Sequence, residues 1–144
     1  MKQEVLITLR GTQTYAGEKP ETIELMTRGT MTGRNGKFAI SYEETELTGV
    51  PGATTTFLVF NPQRIVLSRE GSVRSRMVFE EGVKHEALYD LGFGSLLISI
   101  CARKIDVSLS DSGGSLCIDY TVDVEQSMSS HNAYEIHIEP VPAS

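Results

Sequence analysis

Residues 115–124 read SLCIDYTVDV. Leu116, Ile118, Tyr120, Val122 and Val124 alternate without a break with Ser115, Cys117, Asp119, Thr121 and Asp123. Successive side chains of a strand point to opposite faces. A strict period of two, apolar on one side and polar on the other, marks a strand with one face buried and one face wet, as antiparallel sheets show. The same period continues outward from this stretch in both directions. Tyr134, Ile136 and Ile138 alternate with Glu135, His137 and Glu139, and near the start Val5, Ile7 and Leu9 alternate with Glu4, Thr8 and Arg10. Ile23, Leu25 and Thr27 do so with Glu24, Met26 and Arg28. No segment carries a convincing helical period, although a short helical turn near Gly17 to Glu21 would fit.

Turn chemistry separates the runs. Asn35-Gly36 is a two-residue hairpin signal. Asn61-Pro62, Glu70-Gly71, Glu81-Gly82 and Ser112-Gly113-Gly114 mark further reversals, and Val50-Pro51-Gly52-Ala53 reads as a loop. Strands are therefore expected near 4–15, 21–34, 37–47, 54–60, 64–70, 73–80, 84–90, 94–110, 115–126 and 131–140. Within 94–110 the apolar face changes parity: Leu96, Ile98 and Ile100 are even, whereas Ile105, Val107 and Leu109 are odd. One extra residue between Cys101 and Lys104, a β-bulge, does this. Long strands joined by short turns predict one all-β domain over residues 1–144, an antiparallel meander of about 8–10 strands with almost no helix. Closing it into a barrel would remove the exposed edges; a two-sheet sandwich is the other arrangement that fits.

The net charge of −6 argues against nucleic acid, which calls for a basic footprint. The charge is uneven: no Lys or Arg follows Lys104, while seven acids do, leaving about +1 on residues 1–105. That acidic C-terminal hairpin is a surface for a protein partner or simply a solvated face. The start, MKQEVLITLRG, lacks the apolar core and cleavage site of a signal peptide, and the apolar run LGFGSLLISICA is too short to span a membrane. If residues 111–114 turn the hairpin, Cys101 lies near residue 124 and Cys117 near residue 108, so no disulfide is expected. Reduced cysteines point to the cytoplasm. His85, His131 and His137 stand at no metal-binding spacing, and no cofactor motif is present. Nucleophile signatures and phosphate loops are absent too, which weighs against an enzyme.

Chemistry concentrates elsewhere. In residues 37–46, KFAISYEETE, the face of Phe38, Ile40 and Tyr42 continues into Glu44 and Glu46. Buried carboxylates need partners. Arg69 continues the Ile65, Leu67 face of its own strand and is the candidate partner of Glu44. Arg76, on the face opposite Met77 and Phe79, is not. Tyr42, Tyr89 and Tyr120 are either core residues or cavity-lining hydrogen-bonders. The candidate ligand contacts are thus Tyr42, Glu44, Glu46, Arg69, Tyr89 and Tyr120. The bulky inward residues Phe38, Ile40, Tyr42, Met77, Phe79, Tyr120 and Tyr134 leave room for a narrow cavity at best.

The stretches MKQEVLITL, FAISYEETEL, IVLSREGSVRSRMVF, YDLGFGSLLIS and GGSLCIDYTVDV, in that order, resemble the YwiB-like family of small bacterial proteins of unknown function. The resemblance implies a calycin-like barrel, related in shape to lipocalins, and a cytoplasmic location; it implies no reaction. In one place the chain departs from the family pattern: Tyr89-Asp90-Leu91-Gly92-Phe93-Gly94 lacks the small hydroxyl residue expected shortly after the tyrosine. The functional expectation is a binding module for a small, partly apolar molecule, with a side-chain-filled interaction barrel as the alternative.

Overall fold

The computed structural model describes residues 2–44, 51–61, 64–72, 74–90, 94–124 and 128–141, with the side chains of 61, 89, 90 and 128 left aside. Ten strands make up the fold: β1 (Lys2–Tyr15), β2 (Glu21–Arg34), β3 (Lys37–Glu43), β4 (Ala53–Asn61), β5 (Arg64–Gly71), β6 (Ser75–Glu80), β7 (Lys84–Asp90), β8 (Ser95–Ser110), β9 (Gly113–Val124) and β10 (Met128–Pro140). No helix occurs among the described residues; the chain near Gly17 makes only a turn. None is therefore long and apolar enough to cross a membrane.

All ten strands belong to one sheet, in the order β6-β5-β4-β3-β2-β1-β10-β9-β8-β7. The arrangement is a meander in which the first and last strands pair, Val5 opposite Pro140 through to Tyr15 opposite Ser130. The sheet curls into a nearly closed antiparallel barrel, so the barrel and not the sandwich is the outcome. Its seam lies in the middle of the chain. Neighbouring strands β6 and β7 do not zip together; a tight turn at Glu81-Gly82 leaves one antiparallel bridge, Glu80 to Val83, and one parallel bridge, Glu81 to Ala102 of β8. The Gly82 amide donates to the Ala102 carbonyl at 3.0 Å, and this contact joins the two ends of the sheet.

The bulge sits where the parity change requires it. Register shifts between Ala102 and Lys104, leaving Arg103 unpaired, and burial passes from Ile98, Ile100 and Ala102 to Ile105. The β8–β9 turn is tighter than four residues: Ser110 pairs with Gly113 across Asp111-Ser112. Turn and bulge together shift the expected pairings, so Cys101 faces Thr121 and Cys117 faces Asp106. Both thiols are free. Gly113 and Gly114 have φ of +96° and +137°, and a Cβ at Gly114 would sit 1.9 Å from the Ser108 carbonyl oxygen. Only glycine permits this entry into β9.

The lumen is built in layers, read directly from the register. Phe38, Val59, Ile65 and Phe79 form one row across β3–β6, and Ile40, Phe57, Leu67 and Met77 form the next. Both rows face Ile100, Ile105, Leu116, Ile118, Ile136 and Ile138 from the other half, all buried. The outer face carries charge at mid-strand, with Asp106, Cys117, Glu135, Arg10 and Glu24 in one row across five strands. Membrane-spanning barrels show the reverse alternation, apolar outside and polar within.

Candidate functional site

The third inward row of β3–β6 breaks the apolar pattern. Tyr42 pairs with Thr55, Thr55 with Arg69, and Arg69 with Ser75. Adjacent strands therefore bring four polar side chains to one level at the end of the barrel. Glu44 follows directly: its amide donates to the Ala53 carbonyl at 2.8 Å, which holds the chain against β4 just past the end of β3. Its side chain is 2 % exposed and lies 3.6 Å from Arg69 Nε, an ion pair rather than a hydrogen bond. The fully buried Thr55 donates its hydroxyl to Glu44 Oε1. The strand was expected to run to residue 47; β3 ends at Glu43. Glu46 lies outside the described residues.

The opposite wall comes from β1, β9 and β10. Tyr120 pairs with Asn132, and Ile118 with Tyr134, so Tyr120 and Tyr134 stand on successive inward rows. Tyr134 pairs with Gly11 on its other side. A Cβ on Gly11 would come within 3.3 Å of the Tyr134 ring, so the glycine makes the space in which the ring lies. Across the lumen, Arg69 Nη2 donates to the Tyr134 hydroxyl at 3.5 Å. Beneath them the rings form a ladder from wall to wall. Phe57 meets Tyr134 edge-on at 5.9 Å, Tyr134 stacks on Tyr120 at 5.8 Å, and Tyr120 packs on Phe79 at 4.7 Å. Offset and edge-on contacts of this kind suit the ring quadrupoles.

Above the ladder is a cavity of about 160 Å³. Tyr42, Glu44, Arg69, Tyr120, Asn132 and Tyr134 give it its polar lining, together with Thr12, Gln13 and the exposed Glu21. Leu9, Ile23 and Leu25 give its apolar side. The inward row of β2 thus opens out at this end: Ile23, placed by its parity on the buried face, is 53 % exposed at the mouth. Larger concavities elsewhere are open grooves on the surface, such as one of about 690 Å³ at the opposite end between Phe38, Leu109 and Ile138. Another, of about 510 Å³ beside Val66, Arg74 and Leu88, also touches Arg69.

Two phenols are held neutral. Burial, and then the Glu44 carboxylate, push the Tyr42 hydroxyl far above its ordinary value. Burial, and then Tyr134, do the same to Tyr120. Unfolded tyrosine ionises near pH 10. Because both folded values are raised, this stability is complete below that pH and is lost as pH rises toward the folded values. Alkaline unfolding followed by circular dichroism and by phenolate absorbance is therefore expected to show Tyr42 and Tyr120 ionising only with loss of the fold. Smooth ionisation of every tyrosine with the barrel intact would refute their burial.

Four of the six sequence candidates, Tyr42, Glu44, Arg69 and Tyr120, meet at this cavity. Tyr89 lies in β7 opposite Leu96, and its side chain is outside the described set. Asn132 and Tyr134 were missed as site residues. Their inward parity was legible beside Ile136 and Ile138, but the contact of Tyr134 with Arg69, 65 residues away, and the place of both in one cavity lining were not. His131 and His137 stay on the outside, 2.8 Å from Asp119 and 3.1 Å from Glu139, whereas His85, opposite the buried Ile100, is half-buried and lies 3.2 Å from Glu80. No group of three metal-ligating side chains occurs among the described residues.

Known proteins with similar sequence and structure agree with this architecture. The chain is 29 % identical over 126 residues to the uncharacterized β-barrel protein YwiB of Bacillus subtilis (strain 168), covering 86 % of each protein. The crystal structure of the B. subtilis ywiB protein superposes with a TM-score of 0.78 at 18 % identity, over 98 % of this chain and 94 % of that one. The pattern of the domain of unknown function DUF1934 matches residues 7–136, nearly the whole barrel, and the chain belongs to that family.

Proposed function

We propose that the protein is a small-molecule-binding barrel of the lipocalin-like kind, taking its ligand into the Glu44–Arg69 end of the lumen. One observation carries the reading: a layer of buried polar side chains borders a cavity that the described side chains do not fill. A purely structural ion pair needs no such space. The cavity equals roughly five waters at about 30 Å³ each and falls below the several hundred Å³ of drug-sized sites. The ligand is correspondingly small, polar at the Arg69, Glu44, Tyr42 and Tyr120 end and apolar toward Leu25 and Ile23. Glu46 and Tyr89 remain contacts proposed from the sequence. The two free thiols suit a cytoplasmic setting.

Native mass spectrometry of freshly purified protein tests the proposal. A low-mass adduct is expected, and Leu25→Trp, which plugs the mouth without touching the polar network, is expected to abolish it while the melting temperature moves by only a few degrees. An adduct that survives the plug refutes the site. A second reading, an interaction barrel, is favoured by Leu88, Leu96 and Leu97, which are 63, 36 and 44 % exposed on the β7–β8 hairpin. The acidic outer face of β8–β10 is the other proposed partner surface. A polypeptide in the spectrum instead of an adduct would select that reading.

A further inference from the structure

The sheet ends in two edges that face each other across the seam. β6 and β7 are the outermost strands in its order, and the Glu80–Val83 bridge joins them. Pairing with β8 sets His85 and Ala87 opposite the buried Ile100 and Ile98, so the odd residues of β7 face inward, as Met77 and Phe79 of β6 do. A hairpin continued from Glu80–Val83 would set Phe79 opposite Lys84 and Met77 opposite Glu86, an inward residue against an outward one each time. Opposed residues share a face in a regular ladder, so the two strands part instead of zipping. The Glu80 carbonyl accepts from the Val83 amide at 3.0 Å and so points toward the seam. β6 pairs with β5 without a shift of register, and by alternation the amides and carbonyls of Arg76 and Val78 point the same way. No backbone group pairs with them there among the described residues.

Beside this edge runs the groove of about 510 Å³. Its floor is apolar. Val66 points outward from between Ile65 and Leu67, yet it is fully buried, between Leu58 and Val78 of the neighbouring strands. Leu88 lines the groove from β7 and is 63 % exposed. The charge is positive. Arg74 and Arg76 are exposed, and neither has an ion-pair partner among the described residues. Glu70 is the one acid among the described lining residues, and Arg69, which also touches the groove, is matched by Glu44. Lys84 and Glu86, which share the Leu88 face of β7, offset each other. One buried polar atom is left unanswered. Ser75 is 8 % exposed and lines the groove, and its hydroxyl has no hydrogen-bond partner among the described residues. A buried hydroxyl without a partner is costly.

We propose that the β6 edge takes up an extended acidic segment of a partner protein as an additional antiparallel strand. Its backbone pairs with the free groups of Arg76 and Val78, the mode by which exposed sheet edges bind peptides. The side chains follow from the register. An apolar residue opposite Val78 covers the Val66–Leu88 floor, and an apolar residue opposite Met77 turns inward. Acids stand opposite Arg76 and Arg74, and between them a hydroxyl residue opposite Ser75 answers its Oγ. Read along the partner from its N-terminal side, the pattern is apolar, apolar, acid, hydroxyl, acid.

NMR of the full chain titrated with three acetylated, amidated pentapeptides tests this. They are VVETE, its charge-reversed form VVKTK, and VVETE carrying an N-methyl group on its first glutamate, the residue opposite Arg76. VVETE is expected to shift the backbone signals of Arg76 and Val78 and to slow hydrogen exchange of their amides. It is expected to bind about tenfold tighter than VVKTK, the scale of two cross-strand charge pairs. The N-methyl group removes a ladder donor and is expected to abolish the protection. Arg74→Glu with Arg76→Glu, two exposed changes, is expected to invert the preference so that VVKTK binds the tighter. Equal binding of VVETE and VVKTK, unaltered binding of the N-methyl peptide, or no shift with any peptide overturns the proposal. Shifts confined to Leu25 and Tyr134 overturn it too, because they place the peptide in the lumen. So does a dimer of the free chain, seen by native mass spectrometry, in which the same amides are already protected; the edge then belongs to a second copy.

Discussion

Arg69→Ala is expected to lower the free energy of unfolding by about 3–5 kcal/mol, the cost of leaving a buried ion without its partner. The reason is the asymmetry of the pair: the Glu44 side chain is 2 % exposed and that of Arg69 is 15 % exposed. With the guanidinium gone, the carboxylate keeps the Thr55 hydroxyl but loses its counter-charge. The surviving partner after Glu44→Gln is the more accessible Arg69, and the glutamine retains an oxygen for Thr55. That variant should lose less, about 1–3 kcal/mol. Urea unfolding of both proteins, with unchanged m-values, gives the comparison. A loss below about 1 kcal/mol in Arg69→Ala would place the pair in the regime of solvated rim contacts. The polar layer would then be a wet edge, and the cavity would lose the charged anchor on which the binding reading depends.

Phe57→Ala is the second large effect expected, again about 3–5 kcal/mol. Phe57 is 1 % exposed, sits in the row directly beneath Thr55, and meets Tyr134 edge-on across the lumen. Its removal costs the transfer free energy of the ring plus the void left in a barrel whose ten strands are tied by backbone pairing and collapse little. Phe57→Leu fills most of the void and should cost well under half as much. The two variants also bear on the site. Loss of the ring lets Tyr134 drop from the ladder and deepens the cavity, so the alanine protein should admit larger apolar probes than the parent does. Equal stability of the alanine and leucine proteins would show that the lumen relaxes around the gap, contrary to a ladder packed from wall to wall.

The strand content was written in the sequence because alternation is a local signal. Leu116 to Val124, and the change of parity between Ile100 and Ile105, needed only the chain's own order to specify ten strands and a bulge. The inward direction of Glu44 and Arg69 was legible for the same reason, since each continues an apolar face of its own strand. What local alternation cannot carry is the stagger between strands. Turn length and bulge decide it jointly, which is why Cys101 was expected opposite residue 124 and stands opposite Thr121. Closure lies further still from the sequence. Nothing local says that β6 and β7, joined by a tight turn, separate so that the seam forms at Ala102. Closure in turn brings β5 across from β10 and puts Tyr134 and Asn132 at the cavity of Arg69. The sequence by itself determined which side chains face the lumen; only the tertiary structure decided which of them meet, because curvature and register are sums over the whole sheet and not properties of any one strand.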